Sequence, residues 1–349
     1  MMSLCQTKAR EWSIFALGLI LAGTLSATKM ATAAEPNALR LPVTCAIGTD
    51  CFVQQLPDMD PGPEASDPFC GGATYDGHDG IDIRIRSLTD FDRHEPVVAA
   101  LSGTVRGVRD GMADHLVETS QDRQSIAGRE CGNGVVLTHP DGLETQYCHM
   151  RRGSIAVHRG EQVEAGQKLG EIGASGWVQF PHVHLSVRRA GQKVDPISGR
   201  DLTEGCVRSS TLATTLFDQK AAAALSGSKT QLLGFGMAGG PVDHDRLLEK
   251  GPPAAPDAGA PVTIAWSWFI NLEAGDIIRT TITAPDGSSF FAADSAPMNR
   301  HKATYSSFAG KKRALQPGDW QVTVSLLRHG ETVLEENRTI PVKAGGAAE

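Results

Sequence analysis

Apolar and polar positions alternate in short runs between about residues 70 and 200. Val97-Val98-Ala99-Ala100-Leu101 precedes Gly103, and Thr104 to Val108 follows it. Gly134 to Thr138 and Leu143 to His149 flank Pro140-Asp141-Gly142, which reads as a hairpin turn. Lys168 to Ile172 and His182 to Arg188 complete the set. A period of two predicts strands, and the Asp-Gly, Gly-x-Gly and Pro signals between them predict turns. Residues 110–130 break the pattern and read as a polar loop able to rim a groove. Residues 35–69, rich in Pro and Asp, read as a lead-in that wraps the following domain, pinned by disulfides. Residues 207–260 read as a linker: Ala221 to Ala224 predict a short helix, and Gly251-Pro252-Pro253-Ala254-Ala255-Pro256-Asp257 has linker composition. Alternation returns in 261–343, first at Val262, Ile264, Trp266, Trp268 and Ile270, then at Trp320, Val322, Val324 and Leu326. That spacing predicts a small β-sandwich, immunoglobulin-like, with the tryptophans in its core rather than on a sugar-stacking surface. The expected fold is mostly all-β: an antiparallel sheet domain over 70–206 and the C-terminal sandwich.

Composition agrees with a turn-rich β protein, since aromatics make up 5% while there are 38 glycines and 19 prolines among 349 residues. Net charge is −7 and there is no basic run, which excludes a nucleic-acid binder. Residues 1–34 read as a signal peptide: Lys8 and Arg10 lie before the apolar run Trp12 to Ala22, and small residues at Ala31-Thr32-Ala33-Ala34 follow. The apolar run falls short of the roughly 20 residues needed to span a bilayer, so no stable membrane insertion is expected after cleavage. Cleavage removes Cys5 and leaves Cys45, Cys51, Cys70, Cys131, Cys148 and Cys206. An even cysteine count in an exported chain predicts disulfides, and the expected pairs are Cys45–Cys51, Cys131–Cys148 and Cys70–Cys206. The second has the firmest basis, because the predicted hairpin brings its two strands into register. Cys148 alternates away from His149 and is expected to face away from any site that His149 serves.

Three polar clusters lie at strand edges: His78-Asp79-Gly80-Ile81-Asp82, Tyr147-Cys148-His149 and His182-Val183-His184. Residues two apart on a strand share a face, so His182 and His184 project together while Val183 enters the core. The isoleucines of Ile81-Asp82-Ile83-Arg84-Ile85 bury one face and leave Asp82 on the other. Together the clusters resemble the lysostaphin/LytM-type zinc metallo-endopeptidases, the peptidoglycan DD-metalloendopeptidase family with a duplicated hybrid motif fold. The His-x-x-x-Asp motif of that family is matched by His78 and Asp82, its Tyr-x-His by Tyr147 and His149, and its His-x-His by His182 and His184. Gly132-Asn133-Gly134-Val135-Val136-Leu137 and Val163-Glu164-Ala165-Gly166-Gln167-Lys168-Leu169-Gly170 also resemble the family. The run Ala174-Ser175-Gly176-Trp177-Val178-Gln179-Phe180 departs from it, being usually richer in Ser, Thr and Gly, which bears on specificity.

The resemblance implies a Zn²⁺ site with His78, Asp82 and His184 as metal ligands, water in the remaining position, and His149 and His182 as catalytic residues beside it. It does not decide which of those two takes the proton of water. It implies an exported enzyme, periplasmic or extracellular and associated with the cell wall, that cuts peptide bonds in peptidoglycan stems or cross-links. Two other readings stay open: an inactive LytM-type regulator that binds and activates a cell-wall amidase, and an enzyme directed at other proteins. The C-terminal sandwich is a candidate surface for a protein partner. The other histidines, His115 in the polar loop among them, read as ordinary surface or core residues.

Overall fold

The computed structural model describes residues 37–208, 214–227 and 229–344. The expected signal segment, 1–34, lies outside them. All described residues belong to one compact unit, Glu35–Glu349. Among them no helix is long and apolar enough to cross a membrane.

The first ten strands are β1 (Phe52–Gln55), β2 (Gly80–Arg84), β3 (Pro96–Val98), β4 (Gly103–Arg109), β5 (Asn133–Thr138), β6 (Leu143–Met150), β7 (Gln162–Val163), β8 (Lys168–Glu171), β9 (His182–Arg189) and β10 (Gln192–Val194). Eight of them form one antiparallel sheet in the order β1-β2-β9-β6-β5-β4-β7, with β10 also on β9. β3 and β8 make a separate pair. Alternation divides the faces cleanly at the centre. Ile81, Ile83, Val183, Leu185, Val187 and Tyr147 enter one apolar core, each full burial contributing roughly 1.5–3 kcal/mol. Asp82, His182, His184 and Ser186 occupy the opposite face.

The lead-in segment contributes to this domain as structure. It supplies β1 at the sheet edge, and Leu39, Val43, Val53 and Leu56 to the core. Phe217, Ala221 and Leu225, around helix α2 (Gln219–Ser226), join the same core. The stretch 110–130 is mostly irregular but carries the short helix α1 (Ser120–Ser125), with Thr119 and Asp122 forming a reciprocal cap. The disulfides are the three expected pairs, Cys45–Cys51, Cys70–Cys206 and Cys131–Cys148.

Two antiparallel sheets make the C-terminal sandwich. One has the order β11 (Gln231–Ala238), β12 (Thr263–Leu272), β15 (Lys302–Lys311). The other has the order β14 (Ser289–Asp294), β13 (Ile277–Thr283), β16 (Gly318–Arg328), β17 (Glu331–Val342). The stretch expected to be a linker, 207–260, therefore contains a sandwich strand, β11, besides α2 and a further helix, α3 (His244–Lys250). Its two glycines hid it. A Cβ at Gly234 or Gly236 would meet the Trp266 indole at 3.3 Å, a tight contact that glycine avoids.

The tryptophans are buried as expected, but not all in the sandwich core. Trp320 lies in that core with Ala265 and Phe269. Trp266 and Trp268 project from the other face of β12, into a cluster with Phe52, Leu116, Ala174 and Val178 of the first domain. β12 is therefore apolar on both faces, and Trp268 is 1% exposed.

Candidate metal centre

β2 and β9 run antiparallel with Asp82 opposite His184 and Arg84 opposite His182. Cross-strand partners share a face, so this register alone brings three of the predicted site residues together. His78 enters from the turn before β2. Its Nε2 lies 3.2 Å from Asp82 Oδ1 and 3.2 Å from His184 Nδ1. His184 Nδ1 lies 2.8 Å from the same carboxylate oxygen. Gly80 makes room for this packing, since a Cβ there would fall 2.6 Å from the His184 ring and 2.5 Å from Leu185 O.

His149 reaches the site through a break in alternation. Tyr147 is opposite Leu185 and points into the core, its hydroxyl accepting from Ala100 N at 2.7 Å. Cys148 is opposite His184 and so shares the site face. The expectation that Cys148 faces away from the site is overturned. The reason is His149, which takes a left-handed backbone conformation (φ 64°) in a bulged stretch of β6 and swings its ring back to the site side. Cys148 is held in its disulfide with Cys131 and offers no thiolate. The His149 ring stands 4.6 Å from that of His182, centroid to centroid.

His78, His149 and His182 each have one ring nitrogen tied to a backbone carbonyl and the other turned toward the cluster, whereas both nitrogens of His184 meet carboxylates. His78 Nδ1 donates to Leu56 O at 2.7 Å, His149 Nδ1 to Ser175 O at 2.9 Å, and His182 Nδ1 to Phe180 O at 2.8 Å. His184 Nε2 donates to Asp79 Oδ1 at 3.0 Å. A carbonyl oxygen only accepts, so these contacts fix the tautomers of His78, His149 and His182. Asp79 in turn is paired with the Lys193 ammonium on β10.

Electrostatics follow from burial and these partners. Asp82, buried, stays well below the usual carboxylate range because the attraction of His78 and His182 and hydrogen bonds from His184 and His78 outweigh its desolvation. His184 is raised to about 9: burial opposes its charge, but hydrogen bonds to Asp79 and Asp82 and the attraction of both carboxylates prevail. His149 is held well below the ordinary imidazole value by burial and by neighbouring His182 and His184, and His182 is lowered mainly by burial. Both are neutral at pH 7.

Nε2 of His78, Oδ1 of Asp82 and Nδ1 of His184 are a donor set that could hold a metal ion, all within 4.8 Å of one another. Ligands about 2.0–2.2 Å from a tetrahedral ion stand about 3.3 Å apart. Small outward shifts of these three atoms would seat such an ion. Cys45, Cys51 and Glu95 also cluster, but those cysteines are disulfide-bonded. His115 pairs with Asp122 at 3.3 Å in an exposed cleft beside Gly176 and takes no part in the centre.

The structure thus brings together all five residues singled out in the sequence, His78, Asp82, His149, His182 and His184. It adds Asp79 and Lys193, and the carbonyls of Leu56, Ser175 and Phe180. Asp79 was visible in the His-x-x-x-Asp motif, but nothing in the sequence told its carboxylate from a solvated one.

The profile of Peptidase family M23 matches residues 76–196, the segment that carries every one of these side chains. This segment is a Peptidase family M23 domain. The chain is 35% identical over 95 residues to the DD-carboxypeptidase/endopeptidase Mpg of Neisseria meningitidis, covering 27% of this chain and 21% of that protein. It is 32% identical over 123 residues to the peptidoglycan DD-endopeptidase ShyA of Vibrio cholerae, covering 33% of this chain and 27% of that protein. The chain therefore spans about a quarter of the length of these curated relatives. Among solved structures, the catalytic domain of the M23 protein EnpA from Enterococcus faecalis is similar at 25% identity, with 43% of this chain and 95% of that one covered and a TM-score of 0.27.

Proposed function

We propose that the protein is an exported zinc metallo-endopeptidase that hydrolyses peptide bonds in peptidoglycan stems or cross-links. One observation carries the reading: two imidazole nitrogens and a carboxylate oxygen converge on one point, with two neutral imidazoles beside it. His78, Asp82 and His184 would hold Zn²⁺. The ion, when bound, supplies a Lewis acid and a water whose pKa falls to about 7. His149 and His182 supply proton transfer. Each is neutral at pH 7 and has its Nδ1–H anchored on a carbonyl, so its Nε2 can accept a proton from water and, once protonated, donate to the developing oxyanion or pass that proton to the leaving amine.

Support for the substrate comes from the relatives named as peptidoglycan DD-endopeptidase and DD-carboxypeptidase/endopeptidase. Three disulfides fit an oxidising compartment outside the cytoplasm. The test is zinc analysis of the purified chain, followed by digestion of purified peptidoglycan with products identified by mass. One bound zinc and newly cut stem or cross-link peptides are expected. Intact muropeptides with zinc bound would turn the reading toward a protein substrate, and a chain that takes up no zinc would turn it toward a regulator of a cell-wall amidase.

A further inference from the structure

Arg84 is 1% exposed, and among the described residues it forms no ion pair with a carboxylate. Its guanidinium donates to Gln54 Oε1 at 2.9 Å, Arg86 O at 2.8 Å and Ile85 O at 3.1 Å. Burying a cation without a counter-charge is costly unless its surroundings supply another source of attraction. Here two aromatic rings do so, beside the longer-range attraction of Asp90. The guanidinium lies 4.6 Å from the Phe180 centroid and 5.1 Å from that of Trp268. Cation–π attraction is strongest where water is excluded.

The two rings belong to different parts of the fold. Phe180 grips His182 twice: its carbonyl accepts from His182 Nδ1 at 2.8 Å, and its ring stands 4.6 Å from the imidazole. Trp268 comes from β12 of the sandwich, where its Nε1 donates to Thr304 Oγ1 at 3.0 Å. Arg84 is also the cross-strand partner of His182. The contacts run unbroken from the sandwich to an imidazole of the metal centre.

We infer that Trp268 and Arg84 are positioning residues for His182, so that the C-terminal sandwich is a working part of the catalytic centre rather than an independent module. Phe180 transmits the constraint. Without the Trp268 face, the guanidinium loses half of its aromatic seat, and the Phe180–His182 turn gains freedom that the active geometry does not tolerate. Misplacement of a reacting group by about 1 Å can cost on the order of 100-fold in rate.

This inference rests on the endopeptidase reading for its kinetic test but not for its spectroscopic one. Trp268→Leu, Phe180→Leu and Trp266→Leu are compared in the full zinc-loaded chain. Trp266 is the matched control. It sits on the same face of β12, in the same apolar cluster, but covers Gly234 and Gly236. Zinc content, kcat and KM on soluble cross-linked muropeptides, and the His182 imidazole NMR signals are recorded. Trp268→Leu and Phe180→Leu are expected to keep zinc, to lose roughly 10- to 100-fold in kcat with KM within about twofold, and to shift the His182 signals. Trp266→Leu is expected to lower the melting temperature without either change. Parent-like kcat and His182 signals in Trp268→Leu, or the same losses in Trp266→Leu, would overturn the inference. Should Trp268→Leu fail to fold, Phe180→Leu decides by the same criteria. Should the parent chain leave muropeptides uncut, the endopeptidase reading falls, and the His182 signals still decide whether Trp268 positions that ring.

Discussion

Asp79 accepts a hydrogen bond from His184 Nε2 at 3.0 Å, while the other nitrogen of the same ring lies 2.8 Å from Asp82. One carboxylate orients the imidazole from behind, and the other shares its front with the candidate metal position. Lys193 neutralises the rear carboxylate, which keeps Asp79 an acceptor. Against its desolvation, hydrogen bonds that the Asp79 carboxylate accepts from His184 and Lys193, with the charge of both, hold it below the usual carboxylate range.

Removing that rear carboxylate should weaken zinc binding before it damages the fold. Asp79→Ala is expected to lower zinc affinity about 10- to 100-fold, the usual effect of deleting a partner behind a ligating histidine. Competition with a chromogenic chelator measures it. An affinity equal to that of the parent would show that His184 needs no such support.

The roles proposed for the four histidines separate in two assays on the same samples. His78→Ala and His184→Ala should lose both zinc and activity. His149→Ala and His182→Ala should keep zinc and lose activity, by about 10²-fold or more if each takes part in proton transfer. Zinc lost from His182→Ala but kept by His184→Ala would reverse the assignment.

Zinc and a proton compete for His184 Nδ1, which makes stability depend on pH in a defined direction. In the metal-free protein the pKa of His184 is raised from 6.5 to about 9. The stabilisation this brings is complete below pH 6.5 and disappears as pH rises through about 9. Zinc affinity runs the other way, because binding must displace the proton. The rise in melting temperature on adding zinc should therefore widen between about pH 6.5 and 9. Calorimetry with and without zinc across that window tests it, and a constant zinc-induced rise would contradict it.

Gly80 is a tight backbone position between the two strands that carry the centre. Gly80→Ala places a methyl group 2.5 Å from Leu185 O and 2.6 Å from the His184 ring. Overpacking of this kind costs about 1–3 kcal/mol. Denaturant unfolding of the metal-free chain should show that loss, and zinc affinity should fall as the ring is displaced. Unchanged stability and zinc affinity would mean that β2 and β9 separate freely at this point.

The strands around the centre were legible because each has one face in an apolar core and one lined by polar side chains, so a period of two appears in Ile81-Asp82-Ile83 and in Val183-His184-Leu185. The ligand types were legible because imidazole and carboxylate are side chains that bind such an ion, and of the cysteine pairs only Cys131–Cys148 had a local reason, the hairpin that brings its strands into register. Alternation could not place His149, whose left-handed backbone comes from a bulge formed against β5. Nor could it say where Trp266 and Trp268 pack: β12 is buried on both sides, and an apolar residue carries no mark of which neighbour covers it. The acceptors that orient the rings are mostly backbone carbonyls, which every residue has. Only the packed chain decides which carbonyl of Leu56, Ser175 or Phe180 meets an imidazole, because that choice depends on contacts between segments far apart in sequence.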